Sequence, residues 1–308
     1  MNNSGVGVVI ASVGRPQDLD ECLRSVKCQQ PAAEEIVVVA QTADRETIEV
    51  ATECGARVVL VEQPGLALAI ETGIRGSTAD VLAFIDDDAR ALPGWLRGIS
   101  DTFAADPSVG LLGGRDNVDG DRSSGDVGLP VGRIRRGKII GNHHRGLGEF
   151  RYVQHVKGAN MSMRRAQAQA VPLSFLVTGG GAQVRNEFVL SLAISAQGYR
   201  VAYDPRLQVD HFPARRAESD LRVTVDPQRT FVRRANEAAA FIYAGQTTGW
   251  AAFALRAILI GDRAAPGLLL SLQARRGFVQ LWYNVRGVVE GIRKGTAART
   301  KYSKIVRG

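Results

Sequence analysis

The chain has 308 residues, 45% hydrophobic and 23% charged, an ordinary globular composition and longer than one average domain. Its net charge of +8 is unevenly spread: from Leu221 onward 15 Lys+Arg stand against 4 Asp+Glu, a net +11, which leaves −3 on the first 220 residues. Cys22, Cys28 and Cys54 have no metal-ligand spacing and fit a reducing compartment. Met1 to Gly5 shows no export signal, and nucleic-acid motifs with interleaved aromatics are missing, so a cytoplasmic protein that binds no nucleic acid is expected.

Val6 to Ala11 is an apolar run closed by Ser12-Val13-Gly14-Arg15-Pro16, which predicts a strand and then a loop. Pro16 and Asp18 open a helix with Leu19, Cys22, Leu23 and Val26 at helical spacing, and Pro31 breaks it. Ile36 to Ala40 is a second strand, Arg45 to Cys54 a helix stopped by Gly55, and Ala56 to Val61 a third strand. Gln63-Pro64-Gly65 turns into a helix from Leu66 to Ile74, ahead of a fourth strand at Val81 to Ile85. Strands alternating with helices predict right-handed crossovers and a mostly parallel sheet.

The fourth strand ends abruptly in Asp86-Asp87-Asp88. Alone, this run reads equally as a solvated acidic loop or as a ligand site. Side chains two apart in an extended chain share a side, so Asp86 and Asp88 are expected to face one ligand while Asp87 turns away. Hard oxygen donors suit Mg²⁺ or Mn²⁺, usually shared with phosphates. Parallel sheets bind ligands at the carboxyl ends of their strands, where Ala11 to Arg15 and Ala40 to Thr42 also lie. Three strand ends on one crevice outweigh the bland reading.

Pro93-Gly94-Trp95 starts another helix, and Val109 to Leu112 is a short strand ending in Gly113-Gly114. Asp119 to Gly148 lacks periodicity and reads as a long mobile excursion, either a lid or an insertion without function. Order returns at Val156 to Arg165. Gly179-Gly180-Gly181 permits close backbone approach to a ligand. Asn186-Glu187 opens a helix ended by Gly198, Tyr199 to Tyr203 is a strand followed by Asp204-Pro205, and Val209 to Phe212 is a last extended piece.

These residues together resemble a family 2 glycosyltransferase of the GT-A fold, from about Val6 to His211. The resemblance rests on Val8-Val9-Ile10 with Gly14-Arg15-Pro16, on Gly65-Leu66-Ala67 with Gly73-Ile74, and on Phe84-Ile85-Asp86-Asp87-Asp88. Gly158-Ala159-Asn160 with Arg164-Arg165, Asn186-Glu187, and Gly198-Tyr199-Arg200 with Asp204-Pro205 complete it in order. It implies a Rossmann-like, mostly parallel α/β sheet flanked by helices and followed by a C-terminal helical extension. Residues 1–115 would be the nucleotide-sugar-binding half, 116–150 the flexible excursion, 151–220 the acceptor-side half and 221–308 the basic extension.

The resemblance further implies an inverting, Mn²⁺- or Mg²⁺-dependent transfer from a nucleoside-diphosphate sugar to a hydroxyl of a glycan or lipid-linked acceptor, in cell-surface polysaccharide building. By position, Glu187 is the catalytic base, and Asp88 and His211 are metal ligands. Ala11, Ser12, Arg15, Gln41, Gly65, Asp86 and Asp87 fall on the donor side, and Trp95, Gly158, Asn160 and Asn186 on the acceptor side. Two departures stand out. Ala40-Gln41 replaces the Asp that reads uracil in the family, and Ile70-Glu71 replaces a common Arg-Asn before Gly73. Arg15 or the basic segment Arg133 to Arg145 is expected to supply the missing cation. The competing reading is a catalytically silent sugar-nucleotide binder or membrane scaffold.

From Phe231 the pattern changes to helices rich in Ala, Ile, Leu and Phe, none with the ~20 apolar residues of a membrane span. Leu268 to Leu272, Arg275-Arg276, Phe278, Trp282, Tyr283 and Arg286 fit helices lying in an anionic membrane interface, peripheral to its inner face. A helical subdomain packed on the body is the alternative. The chain past Lys294 is expected to fray.

Overall fold

The computed structural model describes residues 5–181, 183–213, 226–262, 265–273 and 277–306. The expected boundary at 220/221 and the Arg275-Arg276 pair lie outside them. In chain order the first half runs β1 (Val6–Ser12), α1 (Pro16–Lys27), β2 (Ile36–Gln41), α2 (Arg45–Glu53), β3 (Arg57–Val61), α3 (Leu66–Gly76), β4 (Val81–Ile85), β5 (Ala89–Ala91), α4 (Trp95–Ala105) and β6 (Val109–Val118). Four short strands follow, β7 (Asp126–Val127), β8 (Arg133–Arg135), β9 (Lys138–Ile140) and β10 (Gly146–Leu147). Then come β11 (Arg151–Val153), β12 (Asn160–Arg164), α5 (Arg165–Gln169), α6 (Leu173–Leu176), α7 (Asn186–Ala196) and β13 (Arg200–His211). The extension holds α8 (Pro227–Tyr243), α9 (Thr247–Leu259), β14 (Gly261–Asp262), β15 (Ala265–Pro266), α10 (Leu268–Gln273) and α11 (Phe278–Val306).

The main sheet is ordered β11-β13-β6-β12-β4-β1-β2-β3, with β5 added on β13. β1 pairs in parallel with β2 and β4, β2 with β3, and β13 with β6, while β12 enters antiparallel between β4 and β6. All of β4 is buried, as its unbroken apolar run requires of a strand covered on both faces. Helix α1 turns Leu19, Cys22, Leu23 and Val26 inward, with Pro16 at its start, Asp18 in its first turn and Arg24 and Lys27 in its last. Helix α3 lies so close on β1 that a Cβ at Gly73 would come 2.4 Å from Val9 Cγ1, so a side chain here would force the two elements to shift.

Three expectations need correction. Strand β6 does not stop at Gly113-Gly114 but continues to Val118, carrying Arg115, Asp116 and Asn117 into the interior. The two pieces around Asp204-Pro205 are one strand, β13, whose register against β6 shifts between Asp204 and Gln208. Pro205, which has no amide to donate, sits within that irregularity, where a sheet tolerates it. The chain past Lys294 does not fray: α11 is continuous to Val306, Ala298 is fully buried, and Tyr302 meets the Phe175 ring edge-on at 6.2 Å.

The expected excursion is built into two ribbons, β7 with β10 and β8 with β9. Buried Arg115 organises it, donating from Nε to His144 O (3.2 Å) and from Nη2 to Ser124 O. The Tyr203 hydroxyl lies 2.7 Å from His143 O and 2.9 Å from Gly146 O. Helices α8, α9 and α11 share one apolar cluster with β1, β4 and α7 through Phe188, Phe241, Phe253 and Val288. The extension thus continues the body's core.

Candidate active site

β4 ends at Ile85, and the next four residues form a turn in which Ala89 N donates to Asp86 O (3.0 Å). This turn, rather than an extended strand, separates the three carboxylates. Asp87 turns inward, accepting from Ser12 Oγ (2.8 Å) and Arg15 Nη1 (3.0 Å). Asp86 and Asp88 gather with His211, the three placing ligand atoms within 4.8 Å of one another. His211 Nε2 is 3.2 Å from Asp88 Oδ1 and 3.9 Å from Asp86 Oδ2. Two hard carboxylates and an imidazole at this spacing fit a divalent ion.

β13 brings His211 to the cluster, and β6 supplies what orients it. Asp116 Oδ2 lies 3.5 Å from His211 Nδ1 and also takes a close ion pair from Lys157 Nζ. A carboxylate behind a ligand imidazole fixes the ring and its tautomer. Burial opposes ionisation of Asp116, but its hydrogen bond to His211 and the charge of Lys157 hold it below the usual carboxylate range. Burial would lower His211, yet its bonds to Asp116 and Asp88 and the charge of Asp86 raise it to about 9. Partial loss of solvent raises Asp86 to about 6, against the pull of His211 and with the push of Asp88 and Asp87.

The cluster opens into a cavity of about 500 Å³ whose far wall is α7. Arg185, before α7, is held in the left-handed region (φ 73), and Asn186 and Glu187 form the first turn. Glu187 lines the cavity, and its removal from bulk water raises its carboxyl above the usual range against the pull of Arg185. Asn186 donates from Nδ2 to Gln183 O (2.8 Å), while its buried Oδ1 has no hydrogen-bond partner and faces the backbone of Gly158. Lys157, Arg185, Arg229 and Arg233 add a cationic wall, the last two from the first turns of α8.

Ala11, Asp86, Gly158, Asn186, Glu187 and His211 share this cavity. Ser12 and Arg15 instead hold Asp87, and Arg15 also pairs with Asp88 at 2.9 Å, so it neutralises the acidic turn from behind. Gln41 ends β2 and Gly65 precedes α3 at φ 150, both off the cavity lining. The glycine run docks on α3: Leu66 N donates to Gly181 O (3.1 Å) and Ala67 N to Gln183 Oε1 (2.8 Å).

Trp95 and Asn160 lie behind the wall. Trp95 Nε1 donates to Asn160 Oδ1 (2.9 Å), and Asn160 Nδ2 donates to Arg115 O (3.1 Å) and Leu207 O (2.9 Å). The Asn160 carboxamide thus clasps β6 and β13 where their register slips. No residue of the 133–145 basic segment lines the cavity among the described residues.

Sequence reasoning missed Asp116, Lys157, Arg185, Arg229 and Arg233. The signal for Asp116 is a carboxylate placed just beyond the Gly113-Gly114 pair, which in sequence looks like a strand end.

The sequence pattern of glycosyl transferase family 2 matches residues 7–168. Glucosyl-dolichyl phosphate glucuronosyltransferase of Haloferax volcanii is 28% identical over 226 residues, 67% of this chain and 68% of that protein. In fold, the chain is similar to GalNAc-T7, solved with UDP, GalNAc and Mn²⁺ (TM-score 0.57, 14% identity, 89% of this chain and 57% of that one). It is also similar to glucosyl-3-phosphoglycerate synthase from Mycobacterium tuberculosis, solved with Mn²⁺, UDP-glucose and phosphoglyceric acid (TM-score 0.51, 16% identity, 79% of this chain and 80% of that one).

Proposed function

The chain belongs to glycosyl transferase family 2, and from that premise we propose that it moves a hexosyl group, with inversion, from a nucleoside-diphosphate sugar to an acceptor hydroxyl. The observation that carries this reading is one cavity with Asp86 and His211 on one wall and Glu187 on another. Asp86, Asp88 and His211 would hold a divalent ion, whose chemistry there is Lewis-acid stabilisation of the departing diphosphate. Lys157 and Arg185 offset further negative charge at the leaving group, while Asp116 keeps the His211 ring in place.

Glu187 takes the proton from the acceptor hydroxyl as that oxygen bonds to the anomeric carbon. Its removal from bulk water raises its proton affinity above that of an exposed carboxylate, which strengthens it as a base. Asn186 Oδ1 accepts from a sugar or acceptor hydroxyl, which would satisfy its buried lone pairs. The acceptor is a glycan or a lipid-linked glycan of a cell-surface polysaccharide, a reading supported by the lipid-phosphate substrate in the name of the Haloferax relative.

A thermal-shift screen of nucleoside diphosphates and their sugars, with and without Mn²⁺, tests the donor side. One donor is expected to stabilise the protein only with metal, and Asp88→Ala should abolish that shift. An undiminished shift in Asp88→Ala would remove this residue from the metal site.

A further inference from the structure

Large apolar side chains exposed among the described residues are concentrated on the extension. Leu255, Leu259 and Ile260 stand out from α9 and its end, Leu268, Leu269 and Leu272 from α10, and Phe278, Val279, Trp282, Val289 and Ile292 from α11. The three helices touch one another. On α11 the exposed positions recur at intervals that keep them on one side of the helix, while Asn284, Val288 and Ala298 are buried on the other. Trp282 and Leu269 are 60% and 57% exposed, so these side chains contribute little to the core. An apolar surface of this extent on a soluble body marks an interaction site.

Charge identifies the occupant. The segment from Leu221 carries a net +11, and from Thr247 to Ile292 there are 5 Arg against 2 acids. Of those acids, Asp262 pairs with Arg233 and Arg234, and Glu290 pairs with Arg293. Arg286 lies 5.9 Å from the Trp282 ring centroid and 6.0 Å from that of Tyr283, a cation beside aromatic rings at the edge of the apolar face. A second copy of the chain would bring two like-charged, net basic segments together, whereas an anionic bilayer offers opposite charge and an apolar interior. No helix among the described residues is long and apolar enough to cross a membrane.

We infer that the exposed faces of α9, α10 and α11 form one surface that docks on an anionic lipid bilayer. The face lies in the plane of the headgroups, with its leucines, Phe278 and Trp282 entering the acyl boundary and Arg286 meeting lipid phosphates. Because α8 both packs along α11 and lines the cavity with its first turns, docking holds the cavity at a fixed orientation to the membrane. The inference does not depend on the transfer chemistry.

Co-sedimentation of the full chain with vesicles tests it, comparing pure phosphatidylcholine with an equal mixture of phosphatidylcholine and phosphatidylglycerol. The chain should pellet with the anionic vesicles, much less with the neutral ones, and progressively less as salt is raised. The double variant Leu269→Glu, Trp282→Glu should lose at least roughly tenfold in partitioning, with its thermal unfolding unchanged. Equal binding to neutral vesicles, or undiminished binding of the double variant, would overturn the inference. So would a wild-type dimer that ignores vesicles and becomes monomeric in the double variant, since a second copy would then be the occupant.

Discussion

Asn160 illustrates how a side chain beside a site differs from one within it. Its carboxamide accepts from Trp95 and donates to two carbonyls, on β6 and β13. The neighbouring backbone is so close that a Cβ at Gly114 would lie 2.3 Å from Asn160 Nδ2. Asn160→Ala would strand a buried indole N–H and two carbonyls, at a cost of roughly 2–4 kcal/mol. Denaturant unfolding should register that loss, while the folded variant keeps its acceptor KM. An unchanged stability with a raised KM would instead put Asn160 in the acceptor site. The acidic run was readable because three adjacent carboxylates after a buried strand demand compensation. Asp116 was not, since its neighbours suggested a loop and only the continued pairing of β6 with β13 carries it to His211.

Among elements, α7 and α8 are tied by one buried carboxylate. Glu237 Oε1 accepts from Arg185 Nε (2.9 Å) and Arg233 Nε (3.1 Å), and Oε2 from Arg234 Nη1 (2.7 Å). Burial alone would raise Glu237, but the three guanidinium groups hold it far below the usual range. Glu237→Ala leaves those cations without their common partner and should cost about 3–5 kcal/mol, measured by denaturant unfolding. A loss under about 1 kcal/mol would show that solvent replaces the carboxylate. The first four strands and three helices were legible from apolar runs and their breakers. β13 was not, because Asp204-Pro205 looks like a turn in sequence while the sheet absorbs it as an irregularity. Nor was the end of α11, whose small residues Gly287, Gly291 and Gly295 read as weak helix formers. Each in fact lies against α8, where a larger side chain would clash.

For the whole molecule, two buried histidines set an acid limit. Burial lowers His143 to about 4 and His155 to about 3, from 6.5. Both stay neutral when folded, so their contribution to stability is complete above 6.5 and is lost as the unfolded chain takes up protons below it. Unfolding free energy should fall by up to about 1.4 kcal/mol per pH unit for each histidine between pH 6 and 4, a loss partly offset by Asp86, which takes up its proton in the folded chain over the same range. Chemical denaturation of His143→Gln and His155→Gln should show a shallower fall than wild type over that range; an unchanged slope would contradict their buried neutral state. Asp86 and His211, clustered with Asp88, share one cavity with Glu187, an arrangement that fits transfer chemistry. Its most direct test is product formation from a panel of nucleotide sugars with Mn²⁺, comparing wild type with Glu187→Gln. Wild type should consume one donor, and the variant should bind it with equal affinity but transfer roughly 10²–10⁴ times more slowly. Wild-type rates in the variant, or donor binding without turnover in wild type, would contradict that chemistry.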